Sequence, residues 1–333
     1  MVSIVEDGTI NRESWEKLVQ ESSVSTWFQT SQAYDFFKGL PFLEAFVVAV
    51  EDNGRLKGVV VGYVQKDGGR LKRFFSRRAI IIGGPLLSSD ISDEELAMLL
   101  EAVKVKLRKK AIYIETRNLH DYCHWRGVFE QCGFVYEPHL NYQVKCQPKD
   151  EVWKNLKENR RRQIKKALAE GTIIEEAASE KEVVKYYDLL DDLYRRKVKT
   201  PLFPKEFFLE FYRKECGKFL LVKTKKDEII GGIMCPVLYG KTIYEFFVCG
   251  NDSTYKTNYP SVMATWAAMD YASNNNIEVF DFMGAGKPNE EYGVREFKSK
   301  FGGELVEEGR YGFVCKPALF AIGKFGVKII KKI

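Results

Sequence analysis

The chain has 333 residues, of which 45% are hydrophobic and 29% are charged. This length is too great for one ordinary core and fits a globular protein of two domains. The 52 Lys and Arg residues exceed the 46 Asp and Glu residues, which leaves a net charge of +6. This mild excess permits an anionic partner, such as RNA, a nucleotide or a phosphate-bearing lipid head group, without requiring one.

Cysteine and histidine usage argues against disulfides and a metal site. The seven cysteines are scattered and mostly in apolar contexts, which predicts buried, reduced thiols. His120, His124 and His139 match no standard zinc spacing, so no metal is predicted. The N-terminus lacks the features of a signal peptide, and no apolar run approaches the roughly 20 residues that span a bilayer. We therefore expect a cytoplasmic protein.

The first half of the chain predicts a mixed unit of strands and helices. A short helix over 33–38 precedes two strand-like runs, which Asn53-Gly54 joins as a hairpin. The strand "RRAIIIGGPLL" leads to a helix with Ser92 and Glu95 at capping-box spacing. The strand "AIYIETRN", the short helix "WRGVFEQCG" and the strand region "FVYEPHLNYQVKC" complete this half.

The second half predicts the same order of elements. Helices over 151–171 and 180–199 come first, followed by three strands and the helix "YPSVMATWAAMDYASNNN". The strand "IEVFDFMG", the helix "YGVREFKSKFGG" and the strand "ELVEEGRYGFVC" then match the end of the first half. Two copies of one α+β unit with mixed sheets are the simplest account. The predicted divisions are 1–150, 151–316 and a basic amphipathic helix over 317–333.

The helix over 151–171 is a candidate phosphate-binding surface. Arg160, Arg161 and Lys166 belong to a cluster of basic residues opposite an apolar stripe. Arginine forks suit phosphate contacts. A solvated basic face explains the same pattern.

The segment "VFDFMGAGKPNEEYG" is a second candidate. Gly284 and Gly286 lack the further glycine of a dinucleotide fingerprint, which favours a loop lining a cleft. Asp281 lies between two phenylalanines, so burial would raise its pKa and make it a plausible base. The alternative is an Asp that accepts hydrogen bonds from the amides of the glycine loop.

The segment "CGNDSTYKTNYPSVMATW" bears on the cofactor. An acetyl-CoA-dependent enzyme of this kind would be expected to hold the pyrophosphate in a Gly-rich turn at the start of the next helix. This chain has Tyr255, Lys256 and Tyr259 there instead, which we predict to contact substrate and which weaken the coenzyme A interpretation.

Together, these segments resemble the Fem family of peptidoglycan interpeptide-bridge aminoacyltransferases, in particular "RRQIKKALAEG", "YKTNYPSVMATWAAMDYA" before "FDFMG", and "GVREFKSKFGG". The segments "FQTSQAYDFFK" and "IIGGPLL" add to the resemblance in the first half. It implies two tandem GNAT-like domains. By position, the family's Phe-Lys pair falls on Phe297 and Lys298, and a lysine that contacts precursor phosphate falls on Lys38.

The resemblance implies an enzyme that transfers an amino acid from aminoacyl-tRNA to an amine of a UDP- or lipid-linked muropeptide, with no cofactor. Lys298 would stabilise the negative charge on the reacting ester, and Phe297 would hold a base or sugar face. This chain lacks the long coiled-coil insertion of some members, which has been linked to tRNA handling. Two alternatives stay open: an acyltransferase that uses acyl-CoA or acyl-carrier protein on a sugar or small amine, and a non-catalytic binder of nucleic acid or envelope precursor. The tail would touch an anionic membrane or dock as a final helix.

Overall fold

The computed structural model describes residues 1–65 and 77–330, with the side chains of the last helix described to residue 323. It comprises two compact units. Unit 1 consists of Met1–His139 and Glu307–Ile333, and unit 2 is the continuous segment Leu140–Val306. Each unit is an α+β structure with one mixed sheet of eight strands, which confirms the predicted fold class.

Unit 1 begins with β1 (Val2–Glu6), α1 (Arg12–Glu21), α2 (Ser31–Lys38), β2 (Leu43–Asp52), β3 (Arg55–Gln65), β4 (Arg78–Gly83), β5 (Leu86–Leu87) and α3 (Asp93–Leu107), with a short turn of helix at Trp27–Gln29. The unit continues with β6 (Tyr113–Asn118), α4 (Arg126–Gln131) and β7 (Val135–Glu137). Its final elements are β16 (Arg310–Val314) and α11 (Pro317–Ile330).

The sheet of unit 1 has the order β1-β2-β3-β4-β6-β16-β7, with β5 paired to β3. The predicted hairpin joins β2 to β3, where Asn53 and Gly54 both have positive φ. The predicted capping box starts α3, because Ser92 and Glu95 each accept from the other's backbone N–H. β4 and β6 are parallel, and α3 connects them through β5.

Unit 2 begins with β8 (Leu140–Lys145), α5 (Lys149–Asn155), α6 (Glu158–Ala169), β9 (Ile173–Glu176), α7 (Glu180–Leu193) and α8 (Lys205–Arg213). Its central strands are β10 (Gly217–Lys223), β11 (Ile229–Leu238), β12 (Thr242–Tyr244) and β13 (Phe247–Gly250). It ends with α9 (Pro260–Asn274), β14 (Val279–Asp281), α10 (Gly293–Ser299) and β15 (Glu304–Glu307).

The sheet of unit 2 has the order β15-β8-β14-β12-β11-β10-β9, with β13 paired to β11. α9 packs on this sheet. Its small residues Ala264, Ala267 and Ala268 are buried in the core of the unit, as expected for a central helix without a polar stripe. β12 and β14 are parallel, like β4 and β6 in unit 1.

The two sheets have the same order once each strand is matched to its counterpart. β6 corresponds to β14 and α4 to α10, as the repeat predicts, but β16 completes the sheet of unit 1 and β8 that of unit 2. The units therefore divide after residues 139 and 306, whereas the repeat in the sequence predicts divisions at 150 and 316. The last predicted strand, "ELVEEGRYGFVC", is two strands of different sheets, separated at Gly309 with its φ of 65°.

Two predicted helices also differ from the structure. The single helix over 151–171 is interrupted at Leu156 and Lys157, both of which are extended. Lys157 N donates to Lys300 O at 3.0 Å, so a tertiary hydrogen bond takes the place of a helical one. The helix over 180–199 ends in a wide turn over Tyr194–Val198.

The tail is helical to Ile330, and residues 331–333 of the predicted basic helix lie outside the described residues. Phe320, near the start of this helix, packs edge-on against Tyr113 of β6 at 5.4 Å. No helix in 1–65 or 77–330 combines the length and apolarity needed to cross a bilayer.

Candidate active site

Two neighbouring strands of unit 2 separate at the candidate active site. β12 and β14 pair until Tyr244 lies opposite Asp281. Beyond this point Glu245 N donates to Asp281 O at 2.9 Å, and the chain then turns away as β13, which pairs with β11. A gap opens between the diverging strands, and α10 places Lys298 there.

Lys298 is buried and fully engaged. Its Nζ donates to Phe282 O at 2.7 Å and to Gly284 O at 3.0 Å. It also forms an ion pair with Glu245 Oε1 at 3.0 Å. An ammonium group has three N–H donors, so each donor has an acceptor, and the side chain is 11% accessible. Lys298 thus joins the two diverging strands and is not a solvated surface charge.

Glu245 is a partner of Lys298 that the sequence did not reveal. It lies between β12 and β13, is buried, and accepts a second hydrogen bond from Thr265 Oγ1 of α9 at 3.2 Å. Burial raises the pKa of this carboxyl, although Lys298 acts in the opposite direction. The available signal was a lone carboxylate in the apolar run "IYEFFVCG", because such a residue is buried only with a partner.

Asp281 is also buried, at the end of β14. Its carboxylate accepts from Asn141 Nδ2 at 2.9 Å, from Gln143 Nε2 at 3.1 Å and from the backbone N–H of Met283 at 2.6 Å. Burial raises its pKa to about 6, against the effect of these donors and of Lys298. The alternative interpretation of Asp281 from the sequence is that it accepts hydrogen bonds from amides of the glycine loop. The contact with Met283 N is such a hydrogen bond.

The glycine loop is held at several points. Gly284 N donates to Asn141 Oδ1 at 2.7 Å, so Asn141 links the loop to Asp281. Gly286 has a φ of 80°, and a Cβ there would come within 2.9 Å of the Tyr292 ring. Arg295 Nε donates to Ala285 O at 2.8 Å. The loop is therefore pre-organised beside Lys298.

Phe297 and Arg160 form a stack behind this lysine. The Arg160 guanidinium lies 4.3 Å from the Phe297 ring centroid, and its Nη2 donates to Phe297 O at 3.1 Å. Burial lowers the pKa of Arg160 to about 10. One face of Phe297 is thus covered by an arginine. Arg160 packs inward, whereas the sequence predicts that it contacts phosphate at the surface of the basic helix.

The other predicted residues of the basic helix lie at the surface. Arg161 Nη1 donates to Lys154 O at 3.0 Å, and Lys166 is exposed. Neither residue contacts Lys298 or Asp281 in the structure, and their predicted contacts with phosphate stay a prediction.

The start of α9 is capped by a carboxylate. Asp252 Oδ1 accepts from Ser261 N at 3.2 Å, and its other oxygen accepts from the Ser261 hydroxyl. A Cβ on Gly250 would lie 2.2 Å from Ser261 N, so only glycine allows this approach. A negative charge therefore already lies at the positive end of α9.

The three predicted residues of this loop lie around that cap. Tyr259 has a φ of 45° and directly precedes α9. The Tyr255 hydroxyl donates to Glu228, and Lys256 is exposed. The predicted substrate contacts of these residues stay a prediction.

Lys38 belongs to unit 1. It is exposed at the end of α2, with its Nζ 5.4 Å from the Tyr34 ring centroid. The structure thus places it in a different unit from Lys298, and its predicted contact with precursor phosphate stays a prediction.

A cavity of about 470 Å³ in unit 2 adjoins Gln143, a partner of Asp281. Its lining combines apolar residues with the polar side chains of Lys145, Lys157, Asn155 and Glu304. Over residues 1–65 and 77–330, no three His, Cys, Asp or Glu side chains are grouped as metal ligands.

Residues 212–325, which include β10 to β16 and Lys298, match the model of the FemAB family. The match covers about a third of the chain. The resemblance drawn from the sequence is thereby confirmed, and with it the prediction of an acyltransferase. No curated protein sequence matches the chain.

The Fem-like fold extends over nearly the whole chain. The crystal structure of FemX matches 96% of this chain over 99% of its own length, with a TM-score of 0.73 and 15% identity. L-PGS from Bacillus licheniformis matches 95% of the chain over 96% of its own, with a TM-score of 0.59 and 13% identity. A tandem GNAT protein from the clavulanic acid biosynthesis pathway matches 95% of this chain over 99% of its own length, with a TM-score of 0.59 and 7% identity. Identities this low show the fold, which is that of two tandem GNAT-like units.

Proposed function

We propose that the protein transfers an aminoacyl group from aminoacyl-tRNA to an amine of a UDP- or lipid-linked peptidoglycan precursor. The observation that carries this proposal is the position of Lys298, because the FemAB-matching segment places it in the gap between β12 and β14, beside a pre-organised glycine loop. The proposed donor needs no cofactor.

The proposed chemistry requires charge stabilisation and positioning. The acceptor amine attacks the carbonyl carbon of the aminoacyl ester, and negative charge develops on the carbonyl oxygen. The bond to the ribose oxygen then breaks, and that oxygen takes the proton that the amine loses. Lys298 reaches the developing oxyanion by exchanging its longer carbonyl contact, to Gly284 O, for the ester oxygen. Its contacts with Phe282 O and Glu245 keep the ammonium in place.

Asp252 disfavours the acyl-CoA alternative. A pyrophosphate at the start of α9 would meet the carboxylate of Asp252.

A transfer assay tests the proposal. It uses charged tRNA and a muropeptide acceptor, with mass spectrometry of the product. The informative variant is the double substitution Lys298→Met with Glu245→Gln, which removes both charges of the pair together. We expect transfer to fall by about 10²–10³-fold, as when one stabilising donor of an oxyanion is lost.

Lys300→Met is the matched control, because Lys300 lies two residues further along and pairs at the surface with Glu296. Wild-type transfer by the double variant would contradict the role of Lys298. A coenzyme A thermal-shift titration runs beside the assay. Stabilisation by coenzyme A, together with acyl transfer from acyl-CoA, would replace the proposed donor.

A further inference from the structure

We propose that unit 1 binds an anionic group, a carboxylate or a phosphate, at Arg117 and Arg310 on one face of its sheet. The opposite face of this sheet packs against α3, where Ile114 and Tyr311 are buried in the same hydrophobic core as Leu96. Because side chains alternate along a strand, Arg117 of β6 and Arg310 of β16 lie on the face away from this core.

The two arginines are an unusual cross-strand pair. In the antiparallel register of β6 and β16, Arg310 lies directly opposite Arg117. Like charges in this arrangement destabilise a sheet, so the pair needs compensation. Glu115, on the same face, supplies one carboxylate. It accepts from Arg117 Nε at 2.6 Å and from Arg310 Nη1 at 3.4 Å.

Positive charge remains after this compensation. Arg78 of β4 also acts on Glu115, and Glu137 of β7 lies opposite Arg310. Three guanidinium groups thus share two carboxylates. His139 adds no negative charge, because its Nε2 lies 3.0 Å from Arg310 Nη2 and serves as a neutral acceptor.

Arg117 has donors available for a ligand. In the described ranges 1–65 and 77–330, its hydrogen bond to Glu115 uses Nε, and no partner is found for its two terminal nitrogens. The side chain is 38% accessible, and that of Arg310 is 26% accessible. A guanidinium fork matches two oxygens of a carboxylate or of a phosphate. An anion here would offset the excess charge and use these donors.

The chemistry of the ligand fits an acceptor molecule. A UDP-linked muropeptide carries a diphosphate and peptide carboxylates, and either could occupy this site. Naming the acceptor as the source rests on the proposed function, whereas binding of an anion does not.

Calorimetric titration of the full-length protein tests the site. UDP is the probe for a phosphate source, and an N-acetylated dipeptide with a free carboxyl terminus is the probe for a carboxylate. We expect one of them to bind, and Arg117→Gln to weaken that binding at least tenfold. Arg126→Gln is the matched control, because Arg126 is an exposed arginine of the same unit that pairs with Glu130. Its affinity should equal that of the wild type.

Glu115→Gln should change the affinity for the probe in the opposite direction. It removes the carboxylate that competes with the ligand for Arg117, so affinity for the probe should rise several-fold. If Arg117 served only to pair with Glu115, its loss and that of Glu115 would both leave probe binding unchanged or weaker, which would overturn the proposal.

Failure of both probes to bind the wild type, or equal binding by Arg117→Gln, would also overturn it. Thermal melts verify folding. If Arg117→Gln does not fold, Arg117→Lys replaces it and should bind with intermediate affinity, because it keeps the charge and loses the fork; wild-type affinity would count against the site. The titration measures binding and not aminoacyl transfer. Absence of anion binding therefore overturns this site alone, and a failed transfer assay overturns the proposed function alone.

Discussion

At the scale of single residues, the buried pair of Lys298 and Glu245 couples stability to function. Each charge is held by the other and by nearby hydrogen bonds. Removing one member of a buried pair leaves an uncompensated charge, which costs more than removing both. The sequence alone gives Lys298 no partner within its fold, whereas the structure pairs it with Glu245.

Lys298→Ala should therefore lower stability. We expect its free energy of unfolding to fall by about 3–5 kcal/mol, because Glu245 is left buried without a counter-charge. The double variant Lys298→Met with Glu245→Gln should recover most of this loss. Urea unfolding of the wild type, both single variants and the double variant measures the coupling. Strict additivity of the two single losses would contradict the coupled pair.

Asp281 should give the protein an unusual pH dependence. Its pKa in the folded protein is raised to about 6 from the usual 3.8, mainly by burial. The folded state therefore holds this proton more tightly than the unfolded state. The associated stability is fully present below pH ~4, is lost as the pH rises towards 6, and stays constant above that.

Comparison with Asp281→Asn isolates this contribution. The difference in unfolding free energy, wild type minus variant, should fall by about 2 kcal/mol between pH 4 and pH 6.5. This is most of the total expected from a shift of about two units at 1.36 kcal/mol each. Urea titrations at half-unit intervals measure it. A difference that rises with pH would mean that the amide donors and Lys298 outweigh burial.

Part of this site could be predicted from the sequence. Phe297 and Lys298 carry a family motif, and Asp281 stands out as a carboxylate between two phenylalanines. The sequence marks Glu245 as a carboxylate in an apolar run, but its partner could not be predicted. The role of Asn141 could not be predicted either, because both contacts depend on strands that meet only in the fold. No local pattern indicates a partner more than fifty residues away in the chain.

At the scale of elements, the turn between α10 and β15 is built for close approach. Gly303 has a φ of 87°, and a Cβ there would lie 2.5 Å from Gln143 O on β8. Gln143 in turn donates to Asp281. The turn thus sets the distance between β15 and the strand that supports the candidate site.

Substitution of Gly303 should lower the free energy of unfolding by more than backbone strain alone explains. Gly240→Ala is the matched control, since Gly240 has a φ of 76° and a Cβ added there would have no atom within 4 Å. We expect Gly240→Ala to cost about 1–2 kcal/mol and Gly303→Ala to cost a further 1–3 kcal/mol or so from the clash. Equal losses in thermal or urea unfolding would contradict the close approach.

Elements with local signals were well predicted. Asn53-Gly54 and the Ser92–Glu95 box determine their hairpin and helix start through neighbouring residues, and the structure contains both. The break at Leu156 had no such signal. It depends on the hydrogen bond from Lys157 N to Lys300 O, which forms only when α10 is in place.

At the scale of the whole molecule, the two units differ in how the chain supplies them. Unit 2 is one continuous segment, whereas unit 1 takes β16 from beyond residue 306 and places it between β6 and β7. The repeat was visible in the sequence, but the exchange of β8 and β16 was not. The hydrophobic pattern of a strand shows which of its faces is buried, but it does not indicate which sheet the strand joins.

This difference predicts the behaviour of fragments. The fragment 140–307 contains every strand of its sheet and should unfold cooperatively in a thermal melt. The fragment 1–150 lacks β16, which leaves the edge of β6 unpaired, and it should aggregate or stay unfolded. Circular dichroism and size-exclusion chromatography test both. A soluble, cooperatively folded 1–150 fragment would contradict the role of β16.

The exchanged strand also sets an order of events during protein synthesis. Domains generally fold as they emerge from the ribosome, the N-terminal one first. Here the sheet that starts at Val2 has a vacant position between β6 and the edge strand β7 until Arg310–Val314 have been translated, by which time all of unit 2 is available. The half of the protein that leaves the ribosome first is therefore the half that finishes folding last.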